Sequence, residues 1–484
     1  MEVGSLLREA EFEPADHARW LKLAEKALAG APFEDTLVSR SDDGLRIEPI
    51  YERARDAQAL PRRRTDAPWH IIQRVDDTDP RRANRQALED LENGAGGLSL
   101  VFEGAPNAFG YGLPNSAETL RTVLNGVQPN KTHVRVDVHP GSRAMAEWML
   151  AELSKRRIDP GKLSLSFGID AAAIFGGSGY LRMSIEALRA SMPQSLAHFF
   201  SLGLPGVLLE ADGRVFHNAG ATEAQELGIV LSTATSNLRM FEEARQALVY
   251  AAPHIGFALS VDQDQFLSIA KIRALRKLWT RVAEMCSIPP VWATVHAETS
   301  YRMMSARDPE TNILRTTIAA FAAAVGGADS ISILPHTIAH GLPGGFARRI
   351  ARNQQLLLIG ESHLDFVADP ARGAGGIETL TDELCAAAWR EFQLIESEGG
   401  ALASLAAGRI QARITEARAK RARLFAENRR AIIGTTIYPP PRDPEVATLK
   451  ADRRAAPKPA ADRAKITCQR LDPVRIDETL GDAG

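Results

Sequence analysis

The chain has 484 residues, of which 45% are apolar and 24% are charged, a composition typical of a soluble globular protein with a substantial core. Its formal net charge of −2 argues against nucleic acid or an anionic membrane as the main partner, since a near-neutral surface attracts neither. The cysteines Cys286, Cys385 and Cys468 stand far apart, which predicts neither a disulfide framework nor a zinc site and favours a reducing compartment.

Residues 1–67 are predicted to form an arm without a core of its own. The N-terminus lacks the basic and apolar regions of a secretory signal, and no apolar run reaches the ~18 residues of a membrane helix, so a cytoplasmic location is predicted. An amphipathic helix is expected to begin near Asp16, with Trp20 and Leu23 on its apolar side, and a strand–turn–strand pattern follows around Asp42 to Gly44. Such an arm has to pack on the rest of the chain or on another subunit.

Residues 68–400 alternate between apolar strand patterns and helical patterns. The segment opens at Pro68 with an apolar–polar alternation, continues through a helix with a charged face, and reaches its first short apolar run after the glycine turn at Gly94 to Gly97. The strand candidates are Leu98–Phe102, His133–Val138, Leu163–Phe167, Gly206–Leu209, Phe257–Val261, Val291–Val295, Ser330–Leu334 and Asp365–Ala368. The helical stretches are Arg81–Leu91, Ser142–Lys155, Arg182–Leu202, Thr222–Ala251, Asp264–Cys286, Thr311–Val325, Gly345–Ile359 and Thr379–Gly399. Eight strands alternating with helices predict an α/β fold of the (β/α)8 TIM-barrel type rather than an open doubly wound sheet.

The C-terminal part has two predicted regions. Residues 401–434 are a helical extension, in which a basic helix over Ala401–Arg429 carries an apolar row that Arg421 interrupts. This helix either contacts a partner or packs on the outside of the barrel with a solvated charged face. Residues 435–484 form a Pro/Ala-rich charged tail, which predicts a linker or a disordered segment. The glycine-rich stretch Gly176 to Gly179 could cradle a phosphate, but it does not complete a G-x-G-x-x-G motif, so it is interpreted as a flexible loop.

Several motifs resemble the methylmalonyl-CoA mutase family. PWHIIQR, followed by AN, a helix, a glycine turn and LSLVFEG, is similar to the start of the barrel in that family. The arm stretch EKALAGAPFEDTLVSRSDDGLRIEPIY resembles family arms that embrace a partner subunit. The longest similar stretch, NILRTTIAAFAAAVGGADSISILPHT and the helices that follow it, belongs to the scaffold. The resemblance extends from about Ala24 to Thr435 and implies the fold and the family.

At the barrel mouth the sequence departs from the family pattern. Arg74 stands where the family motif PW-x-I-R-Q-Y supplies a catalytic tyrosine, and the substrate-binding positions upstream of it align with Leu60, Pro61-Arg62 and Ala67. The segment FGIDAAAIFGGSG keeps Asp170 but has small residues where the family has charges. Without a cation or several donors, such a pocket cannot hold a carboxylate.

Three further positions match family residues. His217 corresponds to an active-site histidine, and His296 and Glu298 lie in HAETS, which matches His-x-Gln-Thr-Ser. The resemblance implies that His217 could donate to a thioester carbonyl, and the alternative is an inherited polar residue of the core. Glu298 replaces the glutamine and would repel an anionic acyl-CoA.

The cobalt-binding loop Asp-x-His-x-x-Gly of the family has no match. The nearest string, from Asp137 through His139 to Gly141, has its glycine one place too early, so its polar residues are interpreted as lining the barrel mouth. No flavodoxin-like cobalamin domain and no cofactor bound by this chain are therefore expected.

A preserved scaffold with an altered mouth resembles the small, non-catalytic subunits of heterodimeric mutases. The resemblance implies a homologous large subunit as partner, carrying the acyl-CoA and adenosylcobalamin and interconverting (R)-methylmalonyl-CoA and succinyl-CoA. One alternative is the catalytic barrel of a split acyl-CoA mutase whose cobalamin domain is a separate chain. Another is a free-standing regulatory or chaperone-like barrel.

Overall fold

The computed structural model of the chain describes residues 16–60, 66–442, 444–454 and 464–481. Its strands are β1 (Ser39–Arg40), β2 (Arg46–Ile47), β3 (His70–Val75), β4 (Gly97–Leu100), β5 (His133–Val136), β6 (Leu165–Phe167), β7 (Tyr180–Leu181), β8 (Gly206–Val207), β9 (Leu209–Asp212), β10 (Ile255–Val261), β11 (Thr294–Thr299), β12 (Ser330–Ser332), β13 (Leu342–Pro343), β14 (Thr448–Leu449) and β15 (Ile466–Thr467). Pro61 and Arg62, two of the predicted mouth positions, lie outside the described residues.

A parallel sheet closed into a barrel is the centre of the fold. Its strand order is β8-β6-β5-β4-β3-β12-β11-β10-β9, and β8 and β9 are consecutive pieces of one interrupted strand. The backbone N–H of Glu210 on β9 donates to the carbonyl of Ile169 behind β6 at 3.2 Å, which helps to join the two ends of the sheet. Counting β8 and β9 together, eight strands surround the axis, so the predicted TIM-like barrel is confirmed.

The helices follow the strands around the outside of the barrel. They are His17–Leu28, Phe33–Thr36, Pro80–Glu92, Ala117–Val123, Ser142–Lys155, Ala171–Ser178, Ile185–Ser201, Arg214–Ala219, Glu223–Glu243, Leu248–Ala251, Gln265–Met285, Thr311–Gly326, Gly345–Gly360, Gly375–Ser397, Ala401–Ala406, Arg409–Ala426 and Ile476–Gly481. Among the described residues, none of these helices has the length and apolar character needed to cross a lipid bilayer.

Alternation along the strands separates two kinds of side chain. Apolar residues such as Leu98, Leu100 and Val136 are fully buried in the main hydrophobic cluster, which includes residues of the surrounding helices. The intervening positions, among them Ser99 and Arg135, are also buried but polar. Since successive side chains of a strand point to opposite faces, the helix-facing layer is apolar and the barrel axis is polar. In most TIM barrels the axis is filled by Val, Ile and Leu, so this polar axis is where chemistry should be sought.

The close pairing of β8 with β6 depends on a glycine at the start of β8. Gly206 has φ +100°, and a Cβ atom added to it would lie 2.1 Å from the carbonyl oxygen of Leu165 on the neighbouring strand. Only glycine combines this conformation with so close an approach.

One predicted strand is wrong. Asp365–Ala368 forms bends and turns, and the Phe366 and Val367 side chains are largely exposed. The alternation after Pro68 is the first barrel strand, β3, which pairs with β12 and so leaves no gap for a strand after β12. The apolar residues of 365–368 suggest a core strand in the sequence, because a short apolar run has the same pattern whether it is exposed or buried.

The arm is only partly packed on the barrel. β1 and β2 form the expected antiparallel pair, and Asp42 in their turn is ion-paired to Arg421 at 2.6 Å. The helix His17–Leu28, in contrast, has no buried residue, although Trp20, Leu21 and Leu23 form an apolar row along it. This helix therefore presents an amphipathic surface that the described part of the chain does not cover.

The C-terminal extension differs from its prediction in two ways. It consists of two helices, Ala401–Ala406 and Arg409–Ala426, because Gly408 adopts φ +73° between them. Ile410 and Ile414 are buried in a cluster with the helices Ala171–Ser178 and Arg214–Ala219, so the basic helix packs on its own barrel. Arg421 does not merely interrupt the apolar row, because its buried guanidinium binds Asp42 and the carbonyl of Gly220.

The tail was predicted to be a linker or disordered, but its described parts pack across the C-terminal ends of the barrel strands. β14 pairs with β13, and β15 pairs with β7. Farther along, the N–H of Val474 donates to the carbonyl of Asn218, and that of Ile476 to the carbonyl of Arg302, both at 2.9 Å. Composition alone misjudged this segment because its order comes from backbone pairing with loops of the barrel rather than from an apolar core of its own.

Candidate functional site

Titratable side chains occur two residues apart on or directly after several strands and point into the barrel axis. The pairs are Arg74 with Asp76, Arg135 with Asp137, Glu210 with Asp212, and His296 with Glu298. Every member of these pairs is at most 4% exposed. A buried charge is costly unless it is paired, so the partners of these groups determine what the site can do.

Arg214, in the turn after β9, is the hub of the network. Its Nη2 lies 2.6 Å from Asp212 Oδ2 and 2.9 Å from Asp137 Oδ1. Its Nη1 donates to Glu298 Oε1 at 3.1 Å. Burial alone would raise the pKa of Asp137, but Arg214, Arg135 and Arg74 outweigh burial and hold that pKa at about 2. The guanidinium is thus surrounded by three carboxylates of its own chain.

Arg74 is held in the same network. Its Nε donates to Asp76 Oδ2 at 2.6 Å, its Nη2 donates to the carbonyl of Asn107, and its guanidinium carbon lies 5.1 Å from the centre of the Phe109 ring. Asp76 also accepts from Arg348 Nη2 at 2.6 Å. Burial would lower the pKa of Arg74, but the negative charges of Asp76, Glu298 and Asp137 raise it. Arg74 therefore stays protonated and cannot exchange a proton as a phenol can.

Deeper along the axis, Arg135 and Glu210 form a two-pronged ion pair, with both guanidinium Nη atoms donating to the carboxylate. Burial raises the pKa of Glu210, and Arg135 opposes this shift. Arg135 and Glu210 precede Asp137 and Asp212 by two residues each. The pair therefore lies one inward-facing level nearer the N-terminal ends of the strands than the Arg214 hub. Together the two levels fill the axis with ion-paired side chains, although Arg74 Nη1 and Arg135 Nε have no hydrogen-bond partner among the described residues.

His217 lies in a separate cluster behind the hub. Its Nδ1 is 3.1 Å from Glu226 Oε2 and its Nε2 is 2.9 Å from Ser300 Oγ. Lys271 Nζ donates to the same carboxylate of Glu226 at 2.7 Å. Burial, followed by the positive charges of Arg302 and Lys271, lowers the pKa of His217 well below its usual range. Because both ring nitrogens already have partners, His217 has no free N–H to offer to a thioester carbonyl.

His296 lies toward the opposite end of the barrel from His217. Its Nδ1 is 2.8 Å from Ser330 Oγ, whereas its Nε2 has no hydrogen-bond partner among the described residues. It lines a cavity of about 180 Å³ at the N-terminal ends of the strands, together with His70 and His133. His296 and Glu298 on β11, and Ser300 directly after it, follow one another at steps of roughly 6–7 Å, so each occupies a different level of the axis.

The structure thus brings only two of the four predicted mouth residues together. Arg74 Nη1 lies 3.8 Å from Glu298 Oε2, whereas His217 and His296 are engaged at other levels. Asp170, the retained family aspartate, caps the helix Ala171–Ser178 and accepts the N–H groups of Ala172, Ala173 and Asp212. Burial raises its pKa to about 7.

The residues that organise the axis were missed in the sequence. Arg135, Glu210, Asp212 and Arg214 were not singled out, although Arg-Val-Asp occurs at both Arg74–Asp76 and Arg135–Asp137. Charges two residues apart within an apolar strand place both side chains on one face, and this pattern could have predicted a charged axis.

The residues of the string nearest to a cobalt loop, Asp137 to Gly141, do not fit a cobalt ligand. Asp137 is ion-paired to Arg214, and His139 Nε2 is 2.9 Å from the carbonyl oxygen of Glu103. His139 Nδ1 accepts the backbone N–H of Gly141 at 2.8 Å, so neither ring nitrogen is available to a metal. In addition, the described tail segments cover the C-terminal ends of the strands, the end at which TIM barrels carry their sites.

Comparison with known proteins gives a consistent result. The family model for methylmalonyl-CoA mutase matches residues 59–483. The chain is 36% identical over 453 residues to the methylmalonyl-CoA mutase small subunit of Streptomyces virginiae, covering 89% of this chain and 71% of that protein. It is 32% identical over 463 residues to the small subunit of Propionibacterium freudenreichii subsp. shermanii, covering 89% and 69%. It is 41% identical over 343 residues to the probable small subunit of Mycobacterium tuberculosis (strain ATCC 25618 / H37Rv), covering 68% and 54%. The matched region thus spans between about half and seven tenths of the length of these relatives.

Proposed function

Because the chain belongs to the methylmalonyl-CoA mutase family, we propose that it is the non-catalytic small subunit of a heterodimeric mutase. In this proposal it binds and stabilises a homologous large subunit, which holds both the acyl-CoA and adenosylcobalamin. The complex interconverts (R)-methylmalonyl-CoA and succinyl-CoA. The names of the relatives from Streptomyces virginiae and Propionibacterium freudenreichii, both called small subunits, support this assignment.

The observation that carries the proposal is the ion-pair network across the barrel axis. Arg74 replaces the family tyrosine and is bound to Asp76, while Arg214 binds the carboxylates of Asp137, Asp212 and Glu298. An acyl chain could enter this axis only if buried ion pairs separated, and breaking such a pair costs about 3–5 kcal/mol. A substrate would therefore bind here at a large energetic disadvantage.

The arm supports the proposed pairing. The helix His17–Leu28 carries Trp20, Leu21 and Leu23 along one side, and the described residues bury none of its side chains. An amphipathic helix gains most of its stability from packing of its apolar face. A second subunit with the same scaffold could cover this face, giving an interface with an apolar centre.

The alternative of a split catalytic barrel fits these contacts less well. It would need a free proton donor near Arg74 and free cations for the substrate, whereas Arg74, Arg214 and His217 are all engaged with groups of this chain. A regulatory barrel would have the same interior but would bind its partner in variable proportion. The stoichiometry of the purified complex separates that alternative from the proposed subunit.

The test is a pull-down of the tagged full chain from a native lysate, with a mutase assay on the eluate supplied with adenosylcobalamin. The proposal predicts a larger homologous partner at one-to-one stoichiometry. It also predicts that His217→Gln in this chain leaves the mutase activity per complex unchanged, as does the surface variant Lys22→Gln. A small cobalamin-binding partner, together with activity abolished by His217→Gln but kept in Lys22→Gln, would show that catalysis occurs in this barrel.

A further inference from the structure

A second cavity lies at the opposite end of the barrel from the His296 cavity, between the barrel loops and the tail. Its volume is about 280 Å³. It is formed by the loop from Gly104 to Tyr111, by Gly177 and Ser178 at the end of a helix, and by Arg453, Arg454, Arg470 and Asp472 of the tail. None of the charged residues of this lining belongs to the ion-pair network of the axis. At this size the cavity suits a small ligand, since drug-sized molecules occupy about 300–1,000 Å³.

The lining carries an excess of positive charge. It contains three arginines but only Asp472 as a carboxylate, in a chain whose formal net charge is −2. Arg454 is paired with Glu103 below the cavity, and Arg470 Nη2 lies 2.7 Å from Asp472 Oδ1. Within the described residues Arg453 has no ion pair or hydrogen bond. The Nε atom of Arg470 is buried there without a hydrogen-bond partner.

Two glycines of the barrel loops allow Arg453 and Arg470 to pack closely against the barrel. A Cβ atom added to Gly110 would lie 2.5 Å from Cγ of Arg453, and one added to Gly179 would lie 3.2 Å from Cβ of Arg470. The N–H of Arg454 also donates to the carbonyl of Gly110 at 2.8 Å. The aliphatic parts of the Arg453 and Arg470 side chains are thus packed on loops of the barrel, and their guanidinium groups lie beside the same cavity.

We propose that this cavity binds a small oxyanion, a phosphorylated or polycarboxylated metabolite, through Arg453 and Arg470. The planar guanidinium group matches phosphate and carboxylate oxygens and stays charged at any physiological pH. Arg453 would gain its missing partner, and the unsatisfied Nε of Arg470 would gain an acceptor. The glycine-rich stretch Gly176 to Gly179 then contributes a wall of the site, although it is the end of a helix and not the flexible loop expected from its sequence. The ligand would join the tail segments 444–454 and 464–481 to the barrel.

Calorimetric titration of the full chain at fixed ionic strength, with inorganic pyrophosphate and citrate as probes and sodium chloride as the blank, tests the proposal. Saturable binding of pyrophosphate that weakens at least about tenfold in Arg453→Ala and in Arg470→Ala supports a phosphate site. The same pattern with citrate alone supports a carboxylate site. Arg281→Ala, at an exposed arginine on the helix Gln265–Met285, is the control and should bind as the parent does.

Two results would overturn the proposal. One is the lack of saturable binding of either probe at millimolar concentration. The other is binding that is weakened equally in Arg453→Ala, Arg470→Ala and Arg281→Ala, since this would reflect only the loss of general positive charge. Arg453 is exposed, so its substitution should leave the fold intact, which circular dichroism checks.

Discussion

Replacing Arg214 by methionine should destabilise the protein strongly, because it removes the cation that three buried carboxylates share. A carboxyl group whose pKa falls from 3.8 to about 2 on folding, as that of Asp137 does, contributes on the order of 2 kcal/mol above pH 4. Breaking a buried ion pair by removing one partner costs about 3–5 kcal/mol. We therefore expect Arg214→Met to lower the free energy of unfolding by roughly 4 kcal/mol, a large part of the 5–15 kcal/mol typical of folded proteins.

The effect should depend on pH in a defined direction. In the parent protein the pKa of Asp137 is lowered by folding, so its contribution is present above pH 4 and is lost as the pH falls toward 2. Without Arg214, burial should raise the pKa of Asp137. The loss of stability in the variant then applies above the raised pKa and disappears below it. The difference between parent and variant should thus be largest near pH 7 and shrink on acidification.

Urea unfolding at pH 7 and pH 4 measures both effects. Arg281→Met, at an exposed position, is the matched control and should change the free energy of unfolding by less than about 0.5 kcal/mol. Adding Asp137→Asn and Asp212→Asn to Arg214→Met should recover part of the loss, since fewer buried charges remain unpaired. A change below about 1 kcal/mol in Arg214→Met at pH 7 would refute the view that the network is a tightly coupled, dry cluster.

Three further predictions concern other parts of the molecule. Leu23→Glu should weaken assembly with the partner subunit at least about tenfold in a pull-down titration, without changing this chain's melting temperature. Lys22→Glu on the same helix is the control and should affect assembly much less. Equal effects of the two variants would argue against an apolar contact. Gly206→Ala should lower the free energy of unfolding in urea by at least about 2 kcal/mol, because its Cβ would meet Leu165. Gly203→Ala is the control: Gly203 has φ +63° and no neighbour within 4 Å, so the substitution should lower that free energy by only about 1 kcal/mol through backbone strain. Asp76→Asn should destabilise most at pH 7 and progressively less as the pH falls from 4 toward 2, since the pKa of Asp76 is lowered to about 2 and its contribution is lost as the pH falls through that value.

Most of the barrel could be predicted from the sequence because its helices and strands carry strong periodic patterns. The helix Ser142–Lys155 was predicted with its observed bounds, and the arm helix and the hairpin around Asp42 were placed correctly. The strand predicted at Asp365–Ala368 failed because a run of three apolar residues does not reveal whether they are buried. The tail was misjudged because its composition resembles that of disordered segments, whereas its pairing partners lie far away in the sequence.

The axis network was less accessible to sequence reasoning. Arg74 and Glu298 were identified as substitutions within family motifs, but their ion pairing with Asp76 and Arg214 depends on the closure of the barrel. His217 was matched to an active-site residue, and its two hydrogen bonds come from residues 9 and 83 positions away. Sequence patterns show which residue types are present, but only the tertiary fold decides whether a polar group is already satisfied.

The most direct test of the proposed non-catalytic role counts acyl-CoA sites. Equilibrium dialysis with methylmalonyl-CoA would be carried out on the isolated chain and on the purified complex with its partner. The proposal predicts no saturable site on the isolated chain and one site per heterodimer, because the axis of this barrel is occupied by the Arg74 and Arg214 network. Two sites per heterodimer, or saturable binding to the isolated chain that is lost in His217→Gln, would contradict it.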